Sequence, residues 1–304
     1  MRILALFGPT AVGKTGVAIA VAERLRERGE DPVAVNCDSI QVYRGLEMLS
    51  GAATVEERER LEHRLLSFVE PGEEFSAGRY AEAAHAEIDA LLAEGRRPIV
   101  VGGTGLYLRA ALADLDLRPP VPREIRDEVE SEIARRGSDA LHAELDPDLA
   151  ANVDPNDSKR VARLTELARA GIEAAAGAEG MWTAELRAPA RLVGLTMDRE
   201  RLAERIDRRV GEIIAAGAAE EARAALEAGP SRTARAALGF EQLVADIDAA
   251  PSPEAIESIK AAHRAYARRQ LTWMRRMEGV ELIDRTDRDD GDVAAEISEG
   301  LGSE

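Results

Sequence analysis

Apolar and polar positions along the 304-residue chain alternate between two periods. The unbroken apolar run "ILALF" at 3–7 passes through a glycine-containing turn into the helical spacing of "GVAIAVAERL", which predicts a strand over 2–7 and a helix over 14–28. "DPVAVNCDS" reads as a second short buried strand ending at Asp38 and Ser39. Residues 77–94 are helical in composition, and "RRPIVVGGTGLY" supplies another buried strand that ends in glycines before a helix near Leu106. "LRPPVP" at 117–122 punctuates the chain, and three helical stretches follow it: "REIRDEVESEIARRG", "SDALHAEL" and "DSKRVARLTELARAG". No strand alternation returns until "ARLVGLTM" at 190–197, after which Asp198 can cap a helix. On that helix Leu202, Ile206 and Val210 form an apolar stripe. Beside it Arg201, Arg205 and Arg209 make a basic ridge, with ion pairs to Glu200, Glu204 or Asp207 as the plain alternative. The tail holds the strand-like "VELID" and a short acidic helix.

Strands separated by helices, with their ends converging on one edge, predict an α/β fold of the doubly wound parallel type. The core is expected over 1–116 and 190–304, with 117–189 as a helical insertion. Composition narrows the class. There is no long apolar span, and "MRILALF" is too short for a secretory signal and lacks a cleavage region, so a cytoplasmic protein without membrane association is expected. Cys37 is the lone cysteine, which excludes a disulfide framework and a cysteine-rich metal site. A formal charge of −17 opposes indiscriminate nucleic-acid binding. From Lys260 through Met277, however, there are six Lys or Arg and no Asp or Glu, so a local basic surface survives.

"GPTAVGKT" at 8–15 has P-loop spacing in a strand-to-helix setting, which adds a P-loop NTPase-like character to the predicted sheet. In such a loop the backbone N–H groups and the helix N-terminus surround a polyphosphate, while a lysine and a hydroxyl manage charge and metal. Alone, the octet suggests ATP. Phosphoryl transfer then calls for an acid at the end of a second buried strand, and "IVVGGTGLY" has none. Asp38, at the end of the preceding strand, is the better-placed carboxylate; a turn-forming or capping role is its plain alternative.

Taken in order, "GPTAVGKT", "DSIQVYRGLE", "HRLLSF", "VGGTGLYLRA", "DPNDSKRVAR", "RIDRRV", "ALGF" and "RAYARRQLTW" closely resemble the bacterial-type tRNA dimethylallyltransferases, from about residue 3 to about residue 285. The resemblance implies transfer of a dimethylallyl group from dimethylallyl diphosphate to N6 of adenosine 37 in tRNA. In that reading the loop grips a diphosphate leaving group through Gly8, Thr10, Ala11, Val12, Gly13, Lys14 and Thr15, with Thr15 helping to hold Mg²⁺. Asp38 matches the family's proposed general base. Thr104 matches a position beside the reacting adenosine, and Arg209 matches an arginine that binds diphosphate; Arg205 is a weaker candidate. RNA contacts are implied for Asp38, Ser39, Ile40 and Gln41, for Thr104 and Arg126, and for Lys159, Arg160, Val161, Ala162 and Arg163. They are also implied for the segment from Arg235 through Gly239 and Phe240 and for the segment from Arg264 through Arg268 and Arg269. The insertion would embrace the anticodon stem-loop. Tyr266 and Trp273 are placed either to stack on bases or, given their helical spacing, in the core. The family is expected to be monomeric.

Where the family usually carries "DIGTAKPT", this chain reads "EMLSGAAT", without the Lys-Pro pair. His263 stands where threonine is common, and Glu241 stands where a basic or polar residue is frequent. A P-loop small-molecule kinase, a prenyltransferase acting on free adenine nucleotides and a noncatalytic RNA-binding module are the competing functions.

Overall fold

In the computed structural model, which describes residues 2–115, 117–173, 185–245 and 250–301, the apolar runs become strands of one six-stranded parallel sheet. The strands are β1 (Ile3–Phe7), β2 (Pro32–Asn36), β3 (His63–Arg64), β4 (Arg97–Gly102), β5 (Ala190–Thr196) and β6 (Val280–Asp284). Their spatial order is β3-β2-β4-β1-β5-β6. Every position of β1, β2 and β4 is buried, as a parallel sheet covered on both faces requires. The two-residue β3 lies inside "HRLLSF" and is too short to leave a periodic signal.

α1 (Lys14–Glu27) follows β1, and α2 (Glu47–Ser50), α3 (Val55–Arg60) and α4 (Ala77–Ala93) lie between β2 and β4. The β1–α1–β2 and β3–α4–β4 crossovers run in opposite directions across the sheet. Right-handed connection therefore puts α1 and α4 on opposite faces. α5 (Gly105–Leu112) follows β4 and packs along α4.

The chain divides into two units, Met1–Asp114 with Ala184–Glu304, and Leu115–Thr183. The second holds α6 (Arg123–Arg136), α7 (Ser138–His142), α8 (Pro147–Ala150) and α9 (Ser158–Arg169). Its core is Val129, Leu141 and Val161, with Ile125, Ile133, Ala140, Val153 and Ala162 packed against them. Residues 174–184 of the expected insertion lie outside the described residues. Residues 185–189, expected in the insertion, belong instead to the core. There the Arg187 N–H donates to the Leu112 carbonyl (2.9 Å), and the Pro189 carbonyl accepts from Ile3 at the start of β1 (3.0 Å).

The core unit is completed by α10 (Arg199–Ala215), α11 (Ala218–Glu227), α12 (Arg232–Arg235), α13 (Phe240–Val244), α14 (Pro253–Arg276) and α15 (Asp290–Glu299). Asp198 caps α10 by accepting from Glu200 and Arg201, and the stripe Leu202, Ile206 and Val210 is its buried face. The acid-free run forms most of the 24-residue α14. α15 packs along α1. Among the described residues no helix is long and apolar enough to cross a membrane.

Register explains where the chemistry gathers. Phe7 pairs with Gly102 and Asn36 with Val101, so the carboxyl ends of β1, β4 and β2 stand within one residue of each other, while β5 runs two residues past its Gly194–Phe7 pair. A Cβ on Gly102 would lie 2.1 Å from the Cys37 carbonyl oxygen, so only glycine lets β4 pass this close to the turn after β2.

Candidate active site

The loop from Gly8 to Gly13 is shaped by two residues in the left-handed region, Ala11 (φ 62°) and Gly13 (φ 93°). Such alternation turns successive N–H groups into one concavity at the N-terminus of α1, a natural anion site. The Lys14 ammonium folds back across the loop and donates to the carbonyls of Gly8 and Pro9, both at 3.0 Å. Burial pushes its pKa down to about 8, opposed by the Asp38 carboxylate and reinforced by the Arg209 guanidinium. Lys14, Asp38 and Arg209 therefore share one electrostatic neighbourhood, although 171 positions separate Asp38 from Arg209 in sequence.

Asp38 closes the turn after β2. Its Oδ1 accepts from the N–H groups of Ile40 (3.0 Å) and Gln41 (3.4 Å), which leaves Oδ2 facing the Thr104 hydroxyl at 3.5 Å. Thr104 Oγ1 also accepts from the Ser39 N–H (3.3 Å) and lies 3.3 Å from Tyr266 Oη on α14. One carboxylate oxygen is thus committed to the backbone and the other stands in a small hydroxyl cluster.

The arginine ridge of α10 splits by depth. Arg201 is exposed and pairs with Glu204 (3.5 Å) and Asp287 (3.8 Å). Arg205 donates from Nε to the Ala11 carbonyl (2.9 Å), so the residue given less weight from sequence touches the loop itself. Arg209 donates to the Gly51 carbonyl (2.6 Å) and has its pKa lowered by burial. Gly51 caps α2 with φ 60°, inside the stretch that departs from the family pattern. A Cβ there would lie 2.1 Å from Arg209 Nη2.

Sequence reasoning missed two residues that organise the site. Gln270 on α14 accepts from the Thr10 N–H and donates to the Gly103 carbonyl, both at 2.8 Å, and so ties the loop to the turn after β4. Its place four residues after Tyr266 and three before Trp273, on one helix face, is the signal that could have found it. Arg285, at the end of β6, donates to the Gly13 carbonyl (3.1 Å) and leaves no local motif. Trp273, on the same face of α14, packs its ring against Gly105, where a Cβ would lie 2.2 Å from Cε3.

The sequence-predicted RNA contacts fall in both units. In the insertion unit Lys159 and Arg160 are exposed at the start of α9, and Arg126 is half-buried on α6. Arg163 donates to the carbonyls of Arg118 (3.1 Å) and Pro119 (2.8 Å), while Val161 is buried and Ala162 packs on the same core. In the core unit Arg235 pairs with Glu241 (2.9 Å) and Arg264 with Asp207. Gly239 takes φ 92° before the buried Phe240, so Val161 and Phe240 serve packing with their side chains and offer an outside partner only backbone. Arg268 is exposed, and Arg269 stands 5.5 Å from the Tyr266 ring centroid.

Among the described residues no group of three His, Cys, Asp or Glu converges on a metal position. Oxygen-bearing side chains near the loop include Thr15, at the second position of α1, and Asp38, whose carboxylate bears on Lys14. That sparse set suits a hard cation that keeps its waters and bridges substrate phosphates, as Mg²⁺ does, and does not suit a dedicated protein cage.

Comparison with known proteins identifies the family. A family model described as IPP transferase matches residues 41–277. The tRNA dimethylallyltransferase of Anaeromyxobacter dehalogenans strain 2CP-C is 44% identical over 288 residues, which is 93% of this chain and 95% of that protein. The crystal structure of the full-length tRNA isopentenylpyrophosphate transferase from Bacillus halodurans superimposes with a TM-score of 0.71 at 32% identity, covering 99% of this chain and 95% of that one. A eukaryotic dimethylallyltransferase captured acting on tRNA has a TM-score of 0.72 at 25% identity, over 94% of this chain and 74% of that one. With a family model matching most of its length and a relative 44% identical over 93% of it, the chain belongs to the tRNA dimethylallyltransferase family.

Proposed function

We propose that the protein transfers a dimethylallyl group from dimethylallyl diphosphate to N6 of adenosine 37 in tRNA and releases diphosphate. The observation that carries this reading is the placement of Asp38: a carboxylate shares the neighbourhood of Lys14, while the strand after which a kinase would carry its metal-binding acid ends in Gly102, Gly103 and Thr104.

The chemistry follows from what each group can do. As the C1–O bond of the donor breaks, charge grows on the departing diphosphate. The loop N–H groups, the Lys14 ammonium and Arg209 stabilise it where it develops. Thr15 would hold Mg²⁺ against the diphosphate oxygens; the cation supplies further neutralisation of the leaving group. The N6 amine of adenine is a weak nucleophile because its lone pair is delocalised into the ring. Asp38 Oδ2 takes the N6 proton as the N6–C1 bond forms, and Thr104 orients the carboxylate and the base. Adenosine 37 lies in a loop, so moving it out of its stack costs only a few kcal/mol. The basic stretch of α14, the exposed Lys159 and Arg160 of the insertion and the turn from Asp38 to Gln41 supply RNA contacts. The reaction belongs in the cytoplasm, with the protein as a monomer.

The test is incubation with Mg²⁺, dimethylallyl diphosphate and unmodified tRNA bearing adenosines at 36–38, followed by nucleoside mass analysis. A C5H8 addition on adenosine 37 is expected. Turnover of ATP with a small acceptor and no prenylated nucleoside would replace this reading with a kinase.

A further inference from the structure

Against the glycine loop, at Ala11 and Gly13, two guanidinium groups meet. Arg285 is 4% exposed; its Nη1 donates to the Gly13 carbonyl (3.1 Å) and its Nη2 pairs with Asp290 Oδ1 on α15 (3.0 Å). Its Nε is buried and has no hydrogen-bond partner. From α10, Arg205 Nε donates to the Ala11 carbonyl (2.9 Å). Ala11 and Gly13 are the two left-handed residues of the loop; the Ala11 carbonyl is held by Arg205, and the Gly13 carbonyl, which also accepts from the Val17 N–H (3.2 Å) as α1 begins, is held from the side by Arg285. The position a Cβ would take on Gly13 is 2.2 Å from Arg285 Nη1 and 3.2 Å from Arg205 Nη2, so both cations converge on one residue. Arg205 has its pKa lowered first by burial and next by Arg285.

This geometry has a mechanical and an electrostatic consequence. Fixing the carbonyls of a left-handed loop fixes the planes of its peptides and with them the direction of the N–H groups. Two like charges held together, with Asp290 the carboxylate paired to one of them, raise the positive potential of the same loop and are relieved when an anion binds. We propose that Arg285 is a positioning residue of the donor-diphosphate site, which makes donor affinity in this protein depend on its C-terminal strand β6. The identity of the donor rests on the prenyl transfer proposed above; the anion class, a diphosphate, rests on the loop itself. Arg285 lies beyond the segment matched by the family model.

The experiment compares the full-length protein with Arg285→Gln, Arg285→Lys and Asp290→Asn. It measures steady-state transfer to tRNA, calorimetric binding of inorganic pyrophosphate with Mg²⁺, and thermal midpoints. Arg285→Gln is expected to raise both the donor KM and the pyrophosphate Kd by roughly ten- to hundredfold, the span of one charge-assisted hydrogen bond. The tRNA KM stays within about twofold, while kcat falls along with donor affinity, because the loop N–H groups that Arg285 aims stabilise the charge growing on the leaving diphosphate. Arg285→Lys, which keeps the charge, recovers part of the affinity. Asp290→Asn lowers the thermal midpoint but leaves the donor KM at or below the parent value, because the cation stays and loses its counter-charge. A purely structural ion pair would make the Gln and Asn variants behave alike. A donor KM raised equally in both, or unchanged in Arg285→Gln, overturns the proposal. If Arg285→Gln does not fold, the Lys and Asn variants decide: a raised Kd in the first and not the second supports it, and equal values sink it. Should the parent transfer no prenyl group yet bind pyrophosphate in this Arg285-dependent way, the failure lies with the proposed reaction and not with the residue.

Discussion

At the scale of single residues the site is a balance of buried charges. Lys14 is the clearest case: its ordinary pKa of 10.5 falls to about 8 because burial disfavours the ammonium more than Asp38 favours it. Since the folded-state pKa is the lower one, the unfolded chain binds more protons between about pH 8 and 10.5, and this group makes the ligand-free protein more stable as pH rises through that window. At neutral pH the ammonium therefore costs the ligand-free fold stability, even though it donates to the Gly8 and Pro9 carbonyls. Lys14→Met is therefore expected to raise the urea midpoint of the free protein at pH 7 and to abolish donor binding, read by urea unfolding and pyrophosphate titration. A destabilised variant would contradict the burial argument. Asp38→Asn keeps an acceptor for the Ile40 and Gln41 N–H groups while removing the base. Transfer should fall by about 10²- to 10⁴-fold with pyrophosphate binding retained, and full activity would remove Asp38 from the mechanism.

At the scale of elements, helices that begin far from the loop hold it in shape. α14 reaches it through Gln270, whose amide oxygen accepts from Thr10 and whose NH2 donates to Gly103. Replacing Gln270 with Leu keeps the volume but leaves a buried donor and acceptor unpaired, at about 1–3 kcal/mol each. The expected result is a lower urea midpoint and a weaker donor KM together; an unchanged KM would show that the loop keeps its shape without α14. α10 reaches the turn after α2 through Arg209, and Gly51 is the residue that admits it. Gly51→Ala must both strain a φ of 60° and displace Arg209, so donor KM should rise several-fold while the tRNA KM holds. α10 itself was legible before folding, since its stripe of Leu202, Ile206 and Val210 repeats at helical period. Which of its three arginines faced inward was not, because Arg201, Arg205 and Arg209 repeat at the same spacing and only the packed neighbours distinguish them.

At the scale of the whole molecule, the proposed RNA binding requires a chain of charge −17 to confine its cations, and the segment from Lys260 through Met277, mostly in α14, does so with six basic residues and no acid. Some of that charge is spoken for, as Arg264 is by Asp207, whereas Arg268 is exposed. tRNA affinity should fall steeply with salt, and Arg268→Gln should reduce the slope of log K against log salt by about one phosphate's worth, roughly 0.7–0.9, without changing donor KM. An unchanged slope would take Arg268 out of the interface. The sequence by itself predicted five of the six strands, the longer helices between them and the motif "GPTAVGKT", because each is written in local periodicity or in a contiguous run, whereas β3 and the shortest helices left no such signal. Only the tertiary structure decided that Gln270 and Arg285 support the loop, that Arg205 faces it and Arg201 does not, and that residues 185–189 belong to the core. The physical reason is that a hydrogen bond across 260 or 272 positions of chain is set by strand register and helix packing, and neither leaves a trace in the spacing of the residues that make it.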